Sequence, residues 1–136
     1  LSRYTQRRVL LMTRRHPGFE ERVYTVVRNF VEYGNYGGSE KRASAVIRKH
    51  CPERNAETCL TAFRVYRHAY LDAVVFVKRQ ASYYHDLRQS REIPRTGSGS
   101  WPKSPEEAAF TAEHPEVPEE WILTMLWFIY DWHHVR

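Results

Sequence analysis

Histidine and cysteine are the side chains best suited to hold a metal, and His50, Cys51, Cys59 and His68 lie within nineteen residues of one another. Structural zinc sites prefer cysteines two to four residues apart, whereas seven residues separate this pair. The spacing therefore points to Cys59 as a small buried hydrophobe on a helix, and no metal and no cofactor is expected. His85-Asp86 is too short a pattern for a metal phosphohydrolase. Gly34, Gly37 and Gly38 do not follow a strand, so they do not form a nucleotide-binding loop.

Arg79 and His85 make the sharper catalytic pair. The run Arg79-Gln80-Ala81-Ser82-Tyr83-Tyr84-His85 places an arginine, five residues and a histidine on one helical stretch. It resembles the Arg-x(4–6)-His motif of HEPN-type ribonucleases. That resemblance implies a dimeric RNA-cleaving site, with His85 moving a proton and Arg79 stabilising charge on the phosphate. It covers seven of the 136 residues. The segment running through Ala43, Ile47, Cys51-Pro52, Cys59 and Phe63 resembles the first two helices of ubiquitin-associated domains. The long helix that follows departs from that compact unit, and no function is carried over.

Charge supplies a different candidate. Lys and Arg number 21 against 16 Asp and Glu, a net charge of +5. Residues 1–95 hold 19 basic and 9 acidic side chains, whereas residues 96–136 hold 2 and 7. A basic body can attract phosphate or an acidic partner, and an acidic C-terminal third folding back on it is the simpler expectation. Arg3, Arg7 and Arg14 fall on one side of a first helix. Lys41, Arg42, Arg48 and Lys49 cluster on a short third one, and together these seven are the candidate binding residues. Arginine outnumbers lysine 17 to 4, which suits bidentate contacts to phosphate or carboxylate.

The elements that must position these residues read as helices throughout. Residues 3–15 form a helix capped by Ser2 and ended at His16-Pro17. Phe19, Val23, Val26, Val27, Phe30 and Val31 then recur on one apolar face. A glycine-rich turn over 34–38 leads to a helix over 40–50 capped by Ser39. Asn55 opens the longest element, 55–88, where Phe63, Tyr66, Tyr70, Val74, Val77, Ala81 and Tyr84 form a stripe. No proline or glycine interrupts it, so one continuous helix is expected, with a bend near Gln80-Ala81-Ser82 as the alternative. Residues 94–105 read as a flexible loop, with Thr96-Gly97-Ser98-Gly99-Ser100 resembling a linker joint. Ser104-Pro105-Glu106-Glu107 is a capping box. The last helix, 118–134, is apolar on nearly every face and belongs in a core.

The expectation is thus an all-α, single-domain bundle over 1–136. It has five to six helices, a long central one and a very apolar C-terminal one. Two cysteines favour a reducing, cytoplasmic compartment over an oxidised secreted framework. Five arginines among the first fifteen residues do not read as a secretory leader, and no transmembrane segment is expected. A strong core with few catalytic signals favours a non-catalytic interaction or regulatory domain that binds a protein partner, with self-association as one route. Nucleic-acid binding through the Arg-rich face is the alternative, and a HEPN-like ribonuclease the third reading.

Overall fold

The computed structural model describes residues 18–90 and 103–135, and every regular element in them is helical. The expected helix over 3–15, and with it Arg3, Arg7 and Arg14, lies outside the described residues. So does 91–102, which takes in most of the expected loop. The described part carries α1 (Phe19–Glu32), α2 (Glu40–His50), α3 (Ala56–Arg79), α4 (Ala81–Ser90), α5 (Pro105–Glu113) and α6 (Glu119–Tyr130). This is the expected all-α class, with a 24-residue α3 as its longest element. None of the described helices is long and apolar enough to cross a membrane.

Local chemistry sets the helix starts. Ser39 accepts the Arg42 N–H at 3.1 Å, and Asn55 Oδ1 accepts the Thr58 N–H at 2.7 Å. Each satisfies one of the orphan donors of a first turn. Before α2 the chain turns sharply at Asn35–Gly38. Tyr36 and Gly37 both have left-handed backbone there, at φ 66° and 61°. A Cβ at Gly37 would also sit 3.2 Å from Arg42 Nη1, so glycine serves both the turn and the close approach of the guanidinium.

Contacts divide the chain into two compact units, one ending at Leu60 and one beginning at Thr61, inside α3. In the first, Val23, Tyr24, Val26 and Val27 of α1, Ala43 and Ile47 of α2, Cys51 and Cys59 are buried. The expected apolar face of α1 is therefore present, with Phe19, Phe30 and Val31 at its half-buried edge.

In the second unit the expected stripe of the long helix is buried at Phe63, Tyr66, Tyr70, Val77 and Tyr84. The single helix expected over 55–88 is instead two, α3 and α4, broken at Gln80, the place of the alternative bend. The Gln80 N–H is shared between Phe76 O at 2.9 Å and Val77 O at 3.1 Å, the mark of a locally tightened turn. The Ser104 side chain takes the Glu107 N–H while Glu107 Oε1 takes the Ser104 N–H, both at 3.0 Å. Ser104 and Pro105 thus belong to the cap and first turn of α5 and not to the loop expected over 94–105. Seven of the twelve residues of α6 are buried: Ile122, Leu123, Met125, Leu126, Trp127, Ile129 and Tyr130. Its ring system packs edge-on, Trp127 lying 4.7 Å from Tyr84 between centroids. Beyond Tyr130 the helix widens into a π-type turn over Asp131–Val135.

Candidate functional site

α3 has two sides. Phe63, Tyr66, Ala69, Tyr70, Ala73 and Val77 face inward. Residues 64, 68, 71, 75 and 78 step by four and three along the opposite side, and all five are exposed. The middle of this outward line is apolar: Leu71 is 48% and Val75 49% exposed, one helical turn apart. Its ends are Arg64 with His68 above and Lys78 with Arg79 below, while Asp72 lies on its flank.

A groove of about 370 Å³ opens beside the upper half of that line. Arg64 and His68 form one wall; Glu113, His114, Glu116 and Val117 form the other. The second wall exists because α5 ends at Glu113, where Pro115 stops the helix, and the Val117 N–H then bonds back to His114 O at 3.2 Å. Phe110 anchors this corner, with its ring 4.8 Å from both Phe76 and His114.

Two histidines converge on one carboxylate here. His114 Nε2 lies 3.3 Å and His68 Nε2 3.4 Å from the same oxygen, Asp72 Oδ2. The two rings are 5.8 Å apart between centroids. His114 is buried and His68 is open to solvent. These separations exceed the 2.7–2.9 Å usual for a charge-assisted hydrogen bond, so the three side chains make a loose polar contact between α3 and the end of α5. Among the described residues no set of three or more His, Cys, Asp or Glu side chains is placed to hold a metal ion.

The candidate catalytic pair, Arg79 and His85, is not in contact within the chain. Arg79 closes α3 and His85 sits in the second turn of α4, both exposed and on opposite sides of the Gln80 break. Among the described residues no contact joins them. His85 instead lines a shallow depression of about 310 Å³ with Asp86, Tyr130 and His134. His134 is stacked on Tyr130 with the rings 17° from parallel.

Lys41, Arg42, Arg48 and Lys49 are all exposed on α2, and among the described residues none is in an ion pair. His50, next along, is held below its ordinary pKa by desolvation first, and then by the positive charges of Arg22 and Lys49. Two of the acidic C-terminal residues are in ion pairs within their own unit. Glu119 pairs with Lys103 at 2.7 Å, and Asp131 pairs with Arg88.

The cysteines are free thiols, both buried, and burial pushes both above their ordinary pKa. Sequence reasoning missed the outward line of α3 and the His68–Asp72–His114 contact. The four-three spacing of the line was legible, but its exposure was not. Compared with known proteins, the chain matches no family model, no curated protein and no solved structure.

Proposed function

We propose that this chain is a non-catalytic helical interaction domain that docks an acidic amphipathic helix of another protein along the outward side of α3. The observation that carries the reading is the exposed Leu71–Val75 pair set between cationic ends. Apolar anchors at helical spacing are how a helix takes a partner helix, and flanking charge selects which one. A fitting partner presents two apolar side chains to Leu71 and Val75 and carboxylates toward Arg64 and Lys78. The groove beside His68 can receive one further side chain.

Charge also argues against a second copy on this line. Parallel pairing would set Arg64 against Arg64, and antiparallel pairing would set Arg64 against Lys78. Either arrangement places like charges opposite each other at both ends, which works against self-pairing.

A designed peptide tests the reading. A helical peptide carrying leucine in its central heptad and glutamate at both ends should bind the full chain, and a lysine-ended version should bind more weakly. The double variant Leu71→Asp/Val75→Asp should weaken the first peptide by at least about tenfold. Equal binding of both peptides, unchanged by the variant, would contradict the proposal.

A further inference from the structure

We infer that the solvent face of α2 is a second binding surface, made for the phosphate backbone of duplex DNA and read without regard to base sequence. It is independent of the α3 line, since it uses other residues on another helix. α2 buries Ala43, Ser44 and Ile47. Lys41, Arg42, Ala45, Arg48 and Lys49 occupy the other side, and all five are exposed. The first acidic side chain met in α2 is Glu40, in its opening position, so the four cations face solvent with no carboxylate among them.

Their arrangement is two pairs offset by seven residues, Lys41-Arg42 and Arg48-Lys49. At about 1.5 Å per residue the pairs stand roughly 10.5 Å apart along the helix. The major groove of duplex DNA is about 12 Å wide between its sugar-phosphate walls, and long side chains reaching outward from the two pairs can meet both walls at once.

Ala45 is the residue between the pairs. It has no donor or acceptor for a base edge, so contacts here position and do not specify. The Arg42 guanidinium lies over Gly37 at one end of the surface, where an added Cβ would come within 3.2 Å of Nη1.

Salt dependence reads the number of phosphates neutralised. The full chain should bind a 20-base-pair duplex with Kd rising steeply with salt. The variant Lys41→Gln/Arg42→Gln/Arg48→Gln/Lys49→Gln should lower the log–log slope by about 3.6, at about 0.9 per contact. Over a fourfold rise in salt those four contacts correspond to about a 150-fold loss of affinity. The pair Arg48→Gln/Lys49→Gln should lower the slope by about half as much, and circular dichroism should show both variants folded. Two duplexes of unrelated sequence should bind within about threefold of each other. A slope that moves by less than about one unit in the fourfold variant, or tighter binding to single-stranded DNA or polyglutamate than to the duplex, would overturn the inference.

Discussion

The Tyr84 hydroxyl donates to Glu107 Oε2 at 2.8 Å, and neither side chain reaches solvent. Tyr83 donates to the other oxygen at 3.3 Å, and the same carboxyl closes the cap of α5. One side chain thus joins α4 to the start of α5. Tyr84→Phe deprives a buried carboxyl of a partner and should cost about 1–3 kcal/mol in urea melts. Glu107→Ala should cost more, since it also removes the capping box, worth about 1 kcal/mol. A Tyr84→Phe cost below about 0.5 kcal/mol would show that this bond does not tie α4 to α5.

Burial pushes the Tyr24 phenol up to about 12, an effect opposed by the Arg28 charge. The unfolded chain releases that proton near pH 10 and the folded chain near 12. The contribution of Tyr24 to stability is therefore complete below pH 10 and lost as pH rises to 12. The slope is at most about 1.4 kcal/mol per pH unit. Tyr84 is shifted in the same direction, first by burial and then by Glu107. Denaturant melts between pH 9 and 11 should show alkaline loss of stability, and Tyr24→Phe should make that loss shallower. An unchanged slope in the variant would place the loss elsewhere.

Much of this fold is legible before any coordinates. Ser39, Asn55 and Ser104 announce helix starts because capping is local, settled within three residues. The inward stripe of α3 is legible because Phe63, Tyr66, Tyr70 and Val77 are large and repeat at helical spacing. Leu71 and Val75 are different. They are as apolar as the core residues beside them, and only the placement of neighbouring helices decides which side of α3 is covered. The burial of Glu107 and His114 is hidden for a related reason. Their partners Tyr84 and Asp72 stand more than twenty residues away, and a lone Glu or His ordinarily reads as surface.

Cys51 is 3% exposed and Cys59 fully buried, with both thiols shifted up by desolvation. Low thiolate content and low access both slow alkylation. Iodoacetamide at pH 8 should label neither residue readily in the folded chain and both in urea, and metal analysis should return no stoichiometric zinc. Fast labelling of the folded protein, or one zinc per chain, would contradict the buried-thiol account.

Arg79 and His85 sit on either side of the Gln80 break, and among the described residues no contact joins them. Purified full chain should leave single-stranded RNA intact over hours, and His85→Ala should behave identically. RNA cleavage abolished by His85→Ala would restore the ribonuclease reading.

The docking role of α3 is tested most directly by photo-crosslinking from its outward side. A benzophenone side chain at position 71 of the full chain should yield a discrete heterologous adduct in lysate, whose crosslinked peptide is an acidic amphipathic helix. The same probe at position 45 on α2 should not yield it, and Arg64→Glu/Lys78→Glu should abolish it while far-UV circular dichroism stays unchanged. Only homodimeric adducts at position 71, or a heterologous adduct that survives reversal of both charges, would contradict the account.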